Sequence, residues 1–213
     1  AHGSGAVARS RDKGPVLKTG AVRPDGVELN ILTLGPEEIF YRMGRFREFD
    51  ACEFSLSTYT IRRARGEQLI AIPVFPSKMF RHSAIFVRDA AGIREPKDLR
   101  GKRVGIPKYH MTAAVWIRGI LEDEYGVAPK EMLWFEGGEG AKVKEVDVTL
   151  PPQIRMEHVP GDRNLGDMVA GGELDGPLGL ADLCVDLERA VLVAEPSVGR
   201  GARDISPVIA TSE

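Results

Sequence analysis

Residues 99–121 read LRGKRVGIPKYHMTAAVWIRGIL, and this stretch sets the frame for the rest of the chain. Val104, Gly105 and Ile106 make a short apolar strand behind a basic turn at Gly101 to Arg103. Pro107 ends it, because proline brings no N–H to a ladder. Lys108 to Met111 form a loop, and Thr112 is suited to cap a helix start. Ala113, Trp116, Ile117, Ile120 and Leu121 then recur at helical spacing, which predicts one buried face. A helix that opens straight off a strand turns its first N–H groups, and the positive end of its dipole, toward the carboxyl edge of the sheet. A pocket for a carboxylate or phosphate is therefore expected near Tyr109 to Ala113. An ordinary strand-to-helix connection has the same outline, but Tyr109, His110, Met111 and Thr112 are bulky or polar where such connections are small.

The 213 residues fit one domain or two small lobes with a sizeable core. With 29 basic and 31 acidic residues, nothing points to a nucleic-acid or membrane partner. The clusters Arg62-Arg63-Arg65 and Arg100-Lys102-Arg103 read as solvated faces rather than a binding stripe. No CxxC or HExxH spacing occurs, so no metal centre is expected. No run of ~18 apolar residues is present to span a bilayer. Cys52 and Cys184 suit a reducing compartment as well as they suit a disulfide. The opening AHGSGAVARSRDKGP lacks the apolar centre of a secretion signal, so the cytoplasm is the expected location.

Along the chain, residues 1–19 are rich in Gly, Ser and charge and are expected to be disordered. Val27 to Leu34 alternates as a strand does, and Pro36 with Glu37 and Glu38 opens a short helix that Gly44 is expected to close. Phe49 to Phe54 is a short strand that runs into Ser55, Leu56, Ser57 and Thr58. These hydroxyls can cap a helix over Tyr59 to Arg65, with Ser57 or Thr58 favoured, or bond a ligand, and the two roles are compatible. Strands are expected at Leu69 to Val74, Ser83 to Val87, Glu131 to Phe135 and Val143 to Thr149, and from Leu174. A short helix is expected at Asn164 to Ala170, and Val185 to Glu195 fits a helix or a helix plus a strand. His158 is expected to be exposed. Strands alternating with helices imply a parallel or mixed sheet covered on both faces, with ligands at the carboxyl ends of strands.

Arg81-His82, at a strand entrance, is the second stretch with chemical promise. Arginine offers a carboxylate a planar fork, and histidine can give or take a proton near neutrality. A surface arginine beside a packed histidine is the plainer alternative. By position, the hydroxyl cluster, the Arg-His pair and the central loop can all face one cleft.

The segments FDACEFSLSTY, IPVFPSKMFRHSAIFV and DLRGKRVGIPKYHMTAAVWIRGIL together resemble the 4,5-dihydroxyphthalate decarboxylases and their relatives, from about Val22 to Asp175. LRGKRVG alone is common among binding proteins, whereas VFPSKMFRHS with MTAAVW is far more specific. The resemblance implies the type 2 periplasmic-binding-protein fold, two α/β lobes with mixed sheets flanked by helices. The first lobe would hold residues 20–95, the chain would cross at 95–99, the second lobe would hold 96–190, and 191–213 would be an atypical tail. The family's first strand is not recognisable before residue 20, and its continuation is not recognisable after Asp175. The first lobe is therefore expected to be incomplete, as in a truncated or frame-shifted gene product.

The implied activity is non-oxidative decarboxylation of a hydroxylated aromatic dicarboxylic acid, with no metal or organic cofactor. His82 or His110 would deliver the proton. Arg81 and the N–H groups at Met111 and Thr112 would hold carboxylates, with Tyr109 in the same loop. Ser55, Ser57 and Thr58 would contact carboxylate or phenol oxygens. The partner would be a small anionic aromatic substrate, and an oligomer stays open. A solute-binding protein that hands a small organic anion to an ABC-type transporter, working in the periplasm, would use the same cleft and is the competing class.

Overall fold

The computed structural model describes residues 3–9, 25, 27–73, 75, 81, 85–138, 146–177 and 205–207. The chain divides into two compact units, 1–78 with 143–147, and 79–142 with 148–213.

In the first unit, β1 (Gly3–Arg9) is the central strand of a three-stranded parallel sheet, between β2 (Val27–Thr33) and β3 (Ala51–Cys52). This overturns the expected disorder at residues 3–9, and the rest of the stretch 1–19 lies outside the described residues. The run GSGAVAR has neither alternation nor a set of large β-branched residues to announce a strand. It becomes one because ladders form along both of its edges. Helix α1 (Pro36–Phe46) carries Pro36, Glu37 and Glu38 in its first turn and Arg45 in its last, as the dipole favours. It runs past Gly44, its expected end, and stops at Arg47, which takes the left-handed φ of 50°. Gly44 is buried instead, and its carbonyl accepts from Arg62 Nη2 at 2.5 Å. Ile39 and Phe49 centre a small core with Leu32, Leu34, Phe40, Met43 and Cys52.

Helix α2 (Leu56–Ala64) starts earlier than expected, because Ser55 is its cap rather than Ser57 or Thr58. The expected strand at 69–74 is absent from its described part, 69–73. Ile70 is 96% exposed and Ile72 70% exposed, so the described part of the apolar run, LIAIP, pairs with no strand among the described residues.

The second unit holds β4 (Phe86–Arg88), β5 (Arg103–Ile106), helix α3 (Thr112–Tyr125), β6 (Leu133–Gly137), β7 (Arg155–Val159), helix α4 (Leu165–Ala170), β8 (Gly176–Pro177) and β9 (Ile205–Pro207). Four of these strands form a parallel sheet in the order β7-β6-β5-β8, and antiparallel pairing is confined to β4 with β9 among the described residues. Strand β6 begins later than expected because Pro129–Glu131 make a 3-10 turn. Strand β7 falls in a stretch with no clear pattern, and it forms because β6 offers it a free edge. The strand expected at 143–149 is absent from its described part, 146–149, and the segment 185–195 lies outside the described residues. Ile85, Val87 and Ile93 share one core with Leu99, Val104, Ile106, Ile117, Leu121 and Trp134. The residues from 79 onward thus belong to this unit, and the crossing falls upstream of 95–99.

Two glycines let this sheet close up. A Cβ on Gly105 would sit 2.8 Å from Leu174 Cδ1 and 3.2 Å from Leu165 Cδ2, so α4 and Leu174 press directly on β5. Gly137 has φ 142°, and a Cβ there would strike the Val159 carbonyl oxygen.

Asp175 fastens β8 to β5. Its carboxylate accepts from Arg103 N at 2.9 Å, Arg103 Nε at 3.2 Å and Arg103 Nη2 at 3.1 Å. Burial alone would raise this carboxyl, but the hydrogen bonds from Arg103 outweigh it and hold it below the usual carboxylate range. A depressed folded-state pKa stabilises the protein above the ordinary value near ~4, and that gain is lost as pH falls through the lower folded value. Asp175→Asn is expected to cost about 1–2 kcal/mol at pH 7 in urea denaturation, at the modest end because Arg103 is 40% exposed. The deficit should vanish in acid; a deficit that persists below the folded pKa would remove the ion pair as its cause.

Candidate functional site

Polar and aromatic side chains gather at the carboxyl ends of β5 and β6. Behind β5, Pro107 closes the strand and Lys108, Tyr109 and His110 turn inward, each about nine-tenths buried. Tyr109 N donates to Glu136 Oε1 at 2.6 Å. Glu136 lies opposite Ile106 in the ladder and so stands at the same sheet edge. Its other oxygen is 3.5 Å from Nδ1 of His158, which lies on β7 and is 72% exposed, as expected.

Helix α3 then opens. Met111 is its cap, with extended φ −60° and ψ 144°, and Thr112 is its first helical residue rather than the cap. Met111 N donates to Lys108 O at 3.2 Å, so that amide closes the loop instead of awaiting a ligand. The first-turn amides are those of Thr112, Ala113 and Ala114, which have no acceptor within the helix.

The inner face of α3 differs from the expected one. Ala113, Ala114, Ile117, Arg118 and Leu121 are buried, while Trp116 is 57% exposed. Arg118 takes the inward place because aromatic rings await it. Its guanidinium carbon sits 3.6 Å from the centroid of the Tyr109 ring and 5.8 Å from that of Trp134. Those rings meet edge to face, with centroids 5.3 Å apart. Burial lowers the Arg118 pKa, and the charges near Tyr109 and Glu136 partly restore it. Burial pushes the Tyr109 phenol up, and the Arg118 cation pulls it partway back. Arg118, Trp134 and Glu136 had no mark as site residues. The one trace was a cation beside Ile117 in an otherwise apolar helical stripe.

The other expected residues stand as follows. Ser55, Ser57 and Thr58 gather at the start of α2 in the first unit. Ser55 Oγ accepts from Thr58 N at 3.4 Å and lies 3.1 Å from Ser57 Oγ, and Thr58 is fully buried. Arg81 is half-buried in the second unit, and His82 lies outside the described residues. Cys52 is a poor nucleophile, because burial, with the Glu53 charge, pushes its thiol up to about 11. Among the described residues, no three His, Cys, Asp or Glu side chains gather as a metal site would need, and no helix is long and apolar enough to cross a membrane.

No family profile matches the chain. A 4,5-dihydroxyphthalate decarboxylase of Comamonas testosteroni is 42% identical over 174 residues, 80% of this chain and 53% of that protein. Another, from Pseudomonas putida, is 41% identical over 166 residues, 76% of this chain and 64% of that protein. The chain is a relative of the 4,5-dihydroxyphthalate decarboxylases. It spans between about half and two thirds of the length of these two decarboxylases. Among solved structures, the periplasmic aliphatic sulphonate binding protein of Escherichia coli superposes with a TM-score of 0.57 at 12% identity, covering 98% of this chain and 60% of that one. The alkanesulfonate-binding protein of Xanthomonas axonopodis pv. citri, bound to MOPS, gives 0.54 at 13% identity, covering 88% and 57%. Likenesses at this identity concern the fold alone, and they place this decarboxylase relative in the type 2 periplasmic-binding-protein class.

Proposed function

We propose that the chain catalyses non-oxidative decarboxylation of a hydroxylated aromatic dicarboxylic acid of the 4,5-dihydroxyphthalate kind. The observation that carries this reading is the placement of buried His110 at the loop that opens α3, in a chain 42% identical to a decarboxylase of that name. Each ring carbon that bears a carboxylate has a hydroxyl para to it. A proton delivered to that carbon gives a dienone-like intermediate, and the para oxygen carries the charge. The bond to the carboxylate then breaks, its electron pair restores the aromatic ring, and carbon dioxide leaves. One proton in and one carbon dioxide out balance the reaction, so it consumes no oxidant or reductant, and no metal or organic cofactor is proposed for it.

In this reading His110 is the proton donor, with His82 the other candidate. The opening of α3 at Thr112, with Tyr109 and Met111 beside it, supplies the positive end for a carboxylate. Arg81, Ser55, Ser57 and Thr58 are proposed as further contacts to carboxylate or phenol oxygens. The cytoplasm is the proposed location, and breakdown of aromatic acids the proposed setting.

Incubation with 4,5-dihydroxyphthalate should release carbon dioxide and 3,4-dihydroxybenzoate in equal amounts. Saturable binding without turnover would instead select a solute-binding role for a small organic anion.

A further inference from the structure

Arg118 is a buried charge in the second unit without a hydrogen-bonded answer at Nη1. It lies on the inner face of α3 between Ala114 and Leu121, both fully buried. It is itself nine-tenths buried, and Nη1 is shut off from solvent with no hydrogen-bond partner. The nearest influential carboxylate, Glu136, is engaged with Tyr109 N and faces His158. The stack on Tyr109 fixes the plane of the guanidinium without satisfying its protons. A buried cation that lacks an acceptor is costly, and the cost falls away when an anion arrives.

The place is suited to an anion on a second count. Side chains of a helix lean toward its N-terminus, and Arg118 reaches back along α3 to Tyr109, in the loop ahead of the first turn. The positive end of a 14-residue helix and an unanswered guanidinium proton therefore lie at the same end of α3. A carboxylate fits both, because a planar two-oxygen acceptor matches the arginine fork.

We propose that Arg118 is a substrate-binding residue whose Nη1 donates to the carboxylate that the substrate keeps. This rests on the decarboxylase reading for the choice of carboxylate. The departing group leaves as neutral carbon dioxide, and a cation clamped on it would hold its electrons back from the ring. The retained carboxylate has no such conflict, because its charge is the same before, during and after the step. The substrate is symmetric, so either carboxylate can take the anchor and the other then departs. The site thereby demands a second, adjacent carboxylate in anything it decarboxylates.

The test uses phthalate, which has both carboxylates and neither hydroxyl, together with turnover of 4,5-dihydroxyphthalate. Arg118→Lys keeps the charge and the stem but loses the fork. It should weaken phthalate binding in calorimetry about tenfold to a hundredfold and raise KM by the same factor, with kcat within about threefold. An arginine that only propped up Tyr109 would lower kcat and the melting temperature and leave phthalate affinity in place, which overturns the proposal. So would a parental protein that does not bind phthalate. Should Arg118→Lys fail to fold, a structure of the parental protein with phthalate decides: a carboxylate oxygen in hydrogen-bond reach of Nη1 supports the assignment, and phthalate bound elsewhere overturns it. Phthalate bound through Arg118, with no carbon dioxide released from 4,5-dihydroxyphthalate, would sink the decarboxylase reading while leaving the anion site standing.

Discussion

His110→Gln is expected to slow the release of carbon dioxide by about 10²–10⁴-fold, with the melting transition unchanged within a few degrees. Glutamine keeps a polar side chain of similar reach in a position that is only 8% exposed. It cannot give up a proton at neutral pH, so the change isolates proton delivery from packing. His110 sits in a short loop pinned at both ends, by the Tyr109 N–H to Glu136 and by the Met111 N–H to Lys108 O. Backbone anchors of that kind do not depend on the imidazole, which is why folding should survive. The assay is carbon dioxide release at saturating 4,5-dihydroxyphthalate, with His82→Gln measured alongside. If both variants turn over at the parental rate, neither histidine is the donor.

Trp134→Ala is expected to cost about 3–5 kcal/mol, the largest stability loss of any single truncation proposed for this chain. Trp134 is fully buried on β6, between Val104 of β5 and Met156 of β7. Its Nε1 donates to Pro129 O at 2.7 Å, so alanine removes a hydrogen bond as well as leaving a cavity. Typical domains have only ~5–15 kcal/mol of stability in all, so the second unit would be partly unfolded at modest urea. Turnover should fall too, because the Tyr109 ring loses its edge-to-face partner and the stack under Arg118 loosens. Urea denaturation followed by far-ultraviolet circular dichroism measures the effect. A loss below about 1 kcal/mol would mean that this core does not rest on the indole.

The central unit was legible because its cues are local. Pro107 ends β5, an apolar stripe at helical spacing marks α3, and both forces act within a few residues. The same holds for α1, with Pro36 and two glutamates at its start, and for α4, whose Asn164 side chain accepts from Gly166 N and Asp167 N. Strands with distant partners were read less well. GSGAVAR reads as a loose terminus and is a central strand, whereas LIAIP reads as a strand and stays outside any sheet among the described residues. A strand is settled by the edge it meets, and that edge can lie anywhere in the sequence.

The candidate residues of each unit divide along the same line. By itself the sequence determined the loop with Tyr109 and His110, the helix behind it and the hydroxyl cluster at the start of α2, because each is one short continuous segment. Only the tertiary structure decided that Arg118 turns in and Trp116 turns out. Rotation of a helix about its axis depends on what other elements present to it, here the Tyr109 and Trp134 rings and the Glu136 carboxylate. No periodicity within α3 encodes a ring on β6.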